Sequence, residues 1–134
     1  MLSMMLQSSF LPDLHASDLP VIVVADDDVD MCRYVADCLG RLPCRVIVAH
    51  NGADALSLAE QHADHHLALI IADDVMPLMT GSALKEQVAH HPTLSDTPVL
   101  LITGSRTNGL SPPVLSKPFN MSRLLHAVHT AWKT

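Results

Sequence analysis

The stretch Val21-Ile22-Val23-Val24-Ala25-Asp26-Asp27-Asp28 is an apolar, mostly β-branched run that ends in three consecutive carboxylates. A run that is apolar at every position predicts a strand buried on both faces, as in a parallel sheet. Three later runs share this character, at 46–49, 67–72 and 99–102. The segment 114–119 supplies a short fifth strand. The chain therefore predicts a parallel sheet whose strands are hidden from solvent.

The segments between and after these runs show the periodicity of helices. Two stripes place apolar side chains three and four residues apart, which puts them on one face of a helix. The first comprises Met31, Tyr34, Val35, Cys38 and Leu39, and the second comprises Met121, Leu124, Leu125, Val128 and Trp132, after Asn120 as the expected cap. Helices are also expected over 53–61 and 82–90. This alternation predicts a doubly wound α/β fold, a three-layer sandwich with five parallel strands in the order 2-1-3-4-5.

Length and composition favour one compact domain. The chain has 134 residues, of which 49% are apolar and 16% are charged. This size is typical of a single core, and this apolar content argues against disorder. We expect the domain to occupy residues 20–134. The preceding residues, 1–19, are expected to form a leader that docks on the surface, stays mobile or binds a partner as a short helix.

Charge, cysteine spacing and hydropathy narrow the classes of function. The formal charge is −6, from 14 acidic and 8 basic residues, so no nucleic acid is expected as a partner. The 3 cysteines lack the spacing of zinc or redox sites, which favours a cytoplasmic location. No stretch approaches the roughly 18 uncharged apolar residues of a membrane span, and the first residues lack the features of a signal peptide. Neither insertion into a membrane nor export is expected.

Acidic residues follow two of the predicted strands. Asp26, Asp27 and Asp28 close the first run, and Asp73 and Asp74 close the third. Ligands of open α/β sheets bind outside the carboxyl ends of the strands, so both groups should reach the same edge. Crowded carboxylates repel one another and require a cation, and hard oxygen ligands with open positions suit Mg²⁺. The sequence therefore predicts a magnesium site at this edge.

A hydroxyl group and an ammonium group are expected at the same edge. Thr103 closes the fourth run, and Lys117 lies within the segment 114–119. Carboxylates, a hydroxyl and an ammonium are the nucleophile, metal ligands and charge neutralisers that receive a phosphoryl group. Each residue alone would be interpreted as a solvated turn or a helix cap. Their occurrence at four strand ends favours phosphoryl chemistry instead.

Over residues 20–134 the chain resembles the CheY-like receiver domain of two-component response regulators. The matching motifs are Val24-Ala25-Asp26-Asp27-Asp28, Asp73-Asp74-Val75-Met76-Pro77-Leu78-Met79-Thr80-Gly81, Thr103-Gly104 and Lys117-Pro118-Phe119. The resemblance implies that Asp73 accepts a phosphoryl group from the phosphohistidine of a histidine kinase or a histidine phosphotransfer protein. It implies that Thr103 and Lys117 are then drawn to the aspartyl phosphate and move the loops they end. Such a domain is a signalling switch and not an enzyme beyond its own phosphorylation and dephosphorylation.

The resemblance also implies how Mg²⁺ is held. Asp27 is the main carboxylate ligand, and Asp26 acts largely through water. Asp73 is a ligand as well as the nucleophile, and Val75 contributes its backbone carbonyl. The two acids that are neighbours of the site rather than ligands are Asp28 and Asp74.

The connection between the fourth and fifth strands departs from ordinary receivers. Lys117 stands only 14 positions after Thr103, which leaves out about one helix. The segment 104–113 is rich in turn-forming residues and has no apolar stripe, so we expect a loop in place of the fourth helix. This is similar to the receiver subgroup nicknamed FAT GUY, of whose Phe-Ala-Thr-Gly-X-Tyr signature only Thr103-Gly104 is present. Val114 also stands where many receivers have a switching aromatic residue, which puts the usual aromatic relay in doubt.

The same residues allow three other interpretations besides a phosphorylated single-domain receiver. A phosphatase of the haloacid dehalogenase type needs an acid after its lysine, and no Asp or Glu follows Lys117. Two alternatives stay open: a degenerate receiver that binds proteins without being phosphorylated, and the receiver segment of a hybrid histidine kinase. A homodimer is also open.

The histidines offer a second candidate metal site on a helix surface. Two histidines without a third ligand are more often part of a polar face, so a polar face is the preferred interpretation. The pairs concerned are His62 with His66, His90 with His91, and His126 with His129.

Overall fold

The computed structural model describes residues 18–64, 66–104 and 109–132. In chain order its elements are β1 (Val21–Ala25), α1 (Val29–Leu39), β2 (Arg45–Ala49), α2 (Gly52–Gln61), β3 (Leu67–Asp73), α3 (Gly81–Ala89), β4 (Val99–Thr103), β5 (Val114–Ser116) and α4 (Met121–Ala131). The strands form one parallel sheet in the order β2-β1-β3-β4-β5. The predicted topology is confirmed.

Alternate side chains of each central strand face opposite sides of the sheet. In β1, Val21 and Val23 join the core under α2 and α3, whereas Ile22 and Val24 join the core under α1 and α4. All residues of β1 and β4 are buried, and so are all residues of β3 after Leu67. Helices on both sides of the sheet therefore explain why these runs are apolar at every position.

The second apolar run is less buried than expected. β2 is half-buried along most of its length, and Val48 is 37% exposed. The physical reason is its position, because β2 lies at one edge of the sheet and pairs only with β1. The interpretation of 46–49 as a strand buried on both faces is therefore wrong.

Polar side chains cap the four helices of the described residues. The Asn120 side chain accepts a hydrogen bond from the backbone N–H of Arg123 at 2.8 Å, which confirms the expected cap of the last helix. The helices expected over 53–61 and 82–90 each begin one residue earlier than predicted. The other three caps are Asp28 for α1, Asn51 for α2 and Thr80 for α3.

The connection from β4 to β5 contains no helix in its described residues, 104 and 109–113, which agrees with the expected loss of the fourth helix. Residues 105–108 lie outside the described part. Two contacts hold the rest in place. Leu110 packs against the core under α2 and α3, and Lys85 on α3 donates hydrogen bonds to the carbonyls of Ser111 at 2.7 Å and Pro112 at 3.1 Å.

None of the described helices combines the length and the apolar character needed to cross a bilayer. The expected leader falls almost entirely outside the described residues, which begin at Asp18. Its backbone joins the sheet at Pro20, whose carbonyl accepts a hydrogen bond from the N–H of Arg45 at 2.8 Å.

Candidate functional site

Four strand ends meet at one edge of the sheet. Asp26 directly follows β1, Asp73 is the last residue of β3, and Thr103 is the last residue of β4. Lys117 directly follows β5. Parallel pairing brings these ends together, as the sequence predicted for this edge.

Three carboxylates form a compact cluster at this edge. One oxygen from each of Asp26, Asp27 and Asp73 lies within 4.8 Å of the other two. Asp26 and Asp73 are buried, with 3% and 6% of their surfaces exposed, whereas Asp27 is exposed. Oxygen ligands with one open side fit Mg²⁺, which keeps several of its waters.

The cluster is costly to keep charged without a cation. Burial raises the pKa of Asp26 from its usual 3.8 to about 6, and the neighbouring charges of Asp73 and Asp27 act in the same direction. A hydrogen bond from the N–H of Asp28 to Asp26 Oδ1, at 2.9 Å, and the charge of Lys117 partly oppose this shift. A divalent cation would oppose the shift more strongly, so the electrostatics of the cluster fit a metal site.

Lys117 pairs with the buried Asp73. Its Nζ lies 2.6 Å from Asp73 Oδ1, and the backbone N–H of Val75 donates to Asp73 Oδ2 at 3.1 Å. Partial burial by itself would lower the pKa of Lys117, but the hydrogen bond and charge of Asp73 outweigh burial and raise it. Both oxygens of Asp73 therefore have a donor, and the ammonium group stays charged beside them.

Thr103 ends β4, as the sequence predicted, and Val75 follows the end of β3. Thr103 is buried, and its carbonyl accepts a hydrogen bond from the N–H of Lys117 at 2.8 Å, which fixes the ends of β4 and β5 together. Val75 lies in the loop after β3 and is 75% exposed. The role of its carbonyl as a metal ligand stays a prediction.

The side chains of the two remaining acids bind the first turns of helices. Asp28 Oδ1 accepts hydrogen bonds from the N–H groups of Asp30 and Met31 at the beginning of α1. Asp74 Oδ1 accepts from the N–H and the hydroxyl of Ser82, at 3.1 Å and 2.7 Å. Both carboxylates therefore have a structural task, in agreement with their interpretation as neighbours of the site.

Two side chains that sequence reasoning missed hold the backbone of Asp26. The Cys32 thiol and the Nδ1–H of His50 both donate to the carbonyl of Asp26, each at 3.2 Å. Burial and the nearby acids raise the pKa of Cys32 to about 11, so it stays a neutral thiol that is poorly suited to nucleophilic chemistry. No sequence pattern indicated these contacts, because the residues lie 6 and 24 positions from Asp26.

Gly81 packs against the end of β3. A Cβ atom at this position would lie 2.6 Å from the carbonyl oxygen of Asp73. Only a residue without a side chain allows α3 to begin so close to β3. The motif that includes Gly81 was visible in the sequence, but this contact was not.

The histidine pairs do not assemble a metal site in the described part of the chain, where the acidic cluster is the only group of three or more metal-ligating side chains. His62 and His90 contact backbone carbonyls of their own helices, and His91 contacts Glu60 at 2.9 Å. These contacts agree with the interpretation of the histidines as a polar surface.

Comparisons with known proteins agree with this geometry. Residues 22–129 match the family model described as response regulator receiver domain. The chain is 30% identical over 122 residues to Protein PilG of Pseudomonas aeruginosa, covering 84% of this chain and 87% of that protein. It is 29% identical over 116 residues to the sensor histidine kinase TmoS of Ectopseudomonas mendocina, covering 81% of this chain but only 12% of the kinase.

Among solved structures, the chemotaxis response regulator CheY4 of Vibrio cholerae is similar, with a TM-score of 0.73 and 26% identity. The similarity covers 84% of this chain and 98% of that one. The chain spans about half of a probable transcriptional regulator of Pyropia yezoensis, to which it is 29% identical. Sequence and structure together lead to one conclusion: the chain belongs to the response regulator receiver domain family of two-component systems.

Proposed function

We propose that this receiver accepts a phosphoryl group on Asp73 and acts as a phosphorylation switch. The observation that carries the proposal is the contact between Lys117 Nζ and Asp73 Oδ1, 2.6 Å long, beside a cluster of three carboxylates. Lys117 supplies positive charge beside Asp73, and the three carboxylates are oxygen ligands that would hold a divalent cation there. Together these positive charges would stabilise the negative charge of a phosphoryl group on Asp73.

The donor in this proposal is a phosphohistidine on a histidine kinase or a histidine phosphotransfer protein. A carboxylate oxygen of Asp73 forms a bond to phosphorus, and the bond between phosphorus and the donor imidazole nitrogen breaks. The electron pair of the broken bond leaves with that nitrogen. The other ring nitrogen of the phosphohistidine carries a proton taken up from water, so the partner is left with neutral imidazole. The product is an acyl phosphate on Asp73, so the transfer needs no further co-reactant.

Asp26, Asp27, Asp73 and the carbonyl of Val75 are the groups that would hold Mg²⁺. When bound, the ion supplies positive charge against the phosphoryl oxygens. Lys117 supplies a second positive charge from the protein, since its ammonium group already contacts Asp73. Asp27 is the exposed member of the cluster, so it is the ligand most accessible to an incoming hydrated ion.

The switch in this proposal begins at Thr103 and Lys117. An aspartyl phosphate carries about −1.5 to −2 charges, which attract the Thr103 hydroxyl and the Lys117 ammonium. Because the backbones of these residues are hydrogen-bonded to each other, movement of one strand end is transmitted to the other. The described part of the β4–β5 connection lacks a helix, so we assign the chain to the subgroup of receivers without a fourth helix. We also propose a cytoplasmic protein, supported by its three free cysteines.

Incubation with acetyl phosphate and Mg²⁺, followed by intact mass measurement, tests the proposal. The wild-type chain should gain one phosphoryl group, and Asp73→Asn should gain none. Asp74→Asn is the matched control, because it removes the charge of the adjacent carboxylate, which accepts hydrogen bonds from Ser82 in the first turn of α3. A wild-type chain that is never modified by the donor would instead support the alternative of a degenerate receiver that binds proteins.

A further inference from the structure

An apolar groove lies at the edge of the sheet opposite to the acids. It has a volume of about 250 Å³ and is lined by Leu42, Pro43, Leu125, Val128, His129 and Trp132. It runs between the turn that follows α1 and the last turns of α4. Its lining includes no carboxylate, lysine or arginine. Cofactor and substrate pockets usually measure about 300–1,000 Å³ and contain convergent polar groups, so this open groove better fits a short apolar segment of protein.

The chain enters the sheet beside this groove. The carbonyl of Pro20 accepts a hydrogen bond from the N–H of Arg45 at 2.8 Å. Arg45 stands only two positions after Pro43, which lines the groove. Residues that precede Asp18 therefore leave the described structure close to the groove.

The segment that precedes Asp18 is strongly apolar. Asp13 is the only Asp, Glu, Lys or Arg among residues 1–17. Apolar side chains at this density bind poorly to water and favour a protein surface that can cover them. The large apolar residues of this segment are Met1, Leu2, Met4, Met5, Leu6, Phe10, Leu11 and Leu14.

We propose that residues 10–14 of the same chain dock in this groove, with Phe10, Leu11 and Leu14 as the apolar contacts. Leu14 stands six positions before Pro20, and six extended residues span up to about 20 Å. The groove begins within two residues of the partner of Pro20, so Leu14 reaches it without strain. A short tether gives a local concentration in the millimolar range, which favours this segment over a second copy of the chain.

Trp132 provides a direct probe of this docking, because it is the only tryptophan of the chain and lines the groove. In the full chain, the triple variant Phe10→Ser, Leu11→Ser and Leu14→Ser should shift Trp132 emission to longer wavelength. It should also raise quenching by acrylamide about twofold, because one side of the half-buried indole becomes open to solvent. Far-UV circular dichroism should stay unchanged, since the substituted residues precede the folded domain.

The matched control is the triple variant Leu2→Ser, Met4→Ser and Met5→Ser. It makes an equal number of apolar-to-serine changes, at positions farther along the chain from Pro20. It should leave the emission and the acrylamide quenching of Trp132 unchanged. Nuclear Overhauser contacts between the Trp132 indole and the Leu14 methyl groups should be present in the wild-type chain. Equal quenching of the wild type and the first variant, together with absence of these contacts, would overturn the proposal. An equal response to both variants would overturn the assignment to residues 10–14, and quenching that depends on protein concentration would assign the groove to a second copy instead.

Discussion

Replacing Gly81 with alanine tests how closely α3 is packed against the end of β3. A Cβ atom at this position would lie 2.6 Å from the Asp73 carbonyl oxygen and 3.0 Å from the Asp74 Cα. Both contacts involve backbone, which cannot rotate away as a flexible side chain can. The start of α3 or the end of β3 must therefore move by several tenths of an ångström to accommodate one methyl group.

Two opposing effects determine the size of the change. Alanine is better than glycine in a helix interior by up to about 1 kcal/mol, although the gain is smaller at the first residue of a helix. Overpacking costs about 1–3 kcal/mol, and here the crowded atoms belong to backbone. We therefore expect Gly81→Ala to lower the free energy of unfolding by about 1–2 kcal/mol, which corresponds to a fall in Tm of about 3–10 °C. A misplacement of 1 Å can slow a reaction about 10²-fold, so a smaller shift of Asp73 should slow its phosphorylation about tenfold.

Urea unfolding and a time course of phosphorylation by acetyl phosphate measure the two effects of Gly81→Ala. Gly104→Ala is the matched control, because it makes the same substitution at the same edge of the sheet. Among the described residues, a Cβ atom at position 104 would meet only the Lys117 Cδ, at an ordinary contact distance of 3.7 Å. If both variants unfold at the same urea concentration and are phosphorylated at the same rate, the packing argument is wrong.

Three further predictions concern the acids and the β4–β5 connection. Asp27→Ala should abolish phosphorylation, yet it should leave the free energy of unfolding unchanged or higher, because it removes a repelling carboxylate from the cluster. Intact mass measures the phosphorylation, and urea unfolding measures the stability. A normally phosphorylated variant would refute the assignment of Asp27 as a metal ligand. Asp26 has a folded-state pKa of about 6 against a usual 3.8, so the metal-free folded protein binds this proton more tightly than the unfolded chain does. Its contribution to the free energy of unfolding should therefore fall as the pH rises from 3.8 to about 6, and an equal pH dependence in Asp26→Asn would contradict this. Lys85→Met should speed amide hydrogen exchange in residues 109–111, and Lys85→Arg should speed it less. Beryllofluoride bound at Asp73 should slow the exchange of the same residues. Equal exchange in all these states would show that the β4–β5 connection does not respond to phosphorylation of Asp73.

Local patterns were sufficient to predict the sheet and its order. Burial on both faces makes every position of a strand apolar, and this is visible in a single run such as 67–72. The predicted order already placed the second strand at an edge of the sheet, yet the run 46–49 is apolar at every position, so the apolar character of the run overstated its burial. This is why Val48 was expected to be buried but is 37% exposed.

Part of the candidate site could likewise be predicted from the sequence, and part could not. The acids at the strand ends could be placed at one edge because parallel strands end on the same side of a sheet, and the structure brings Asp26, Asp27 and Asp73 together. The contacts of Cys32 and Lys85 could not be predicted, because each joins a side chain to a backbone carbonyl on another segment. Such contacts follow from the packing of helices on the sheet and leave no periodic trace in the sequence.

The described part of the β4–β5 connection contains no helix, yet it is attached both to the candidate site and to α3. At the site, the Lys117 N–H donates to the Thr103 carbonyl, so the two ends of the connection cannot move independently. Away from the site, Leu110 packs into the core and Lys85 binds two carbonyls, so the middle is attached to α3. α3 itself begins at Gly81, against the carbonyl of Asp73. We therefore expect a change at Asp73 to reach the connection from both sides, through its ends and through α3, and neither route requires an aromatic side chain on β5.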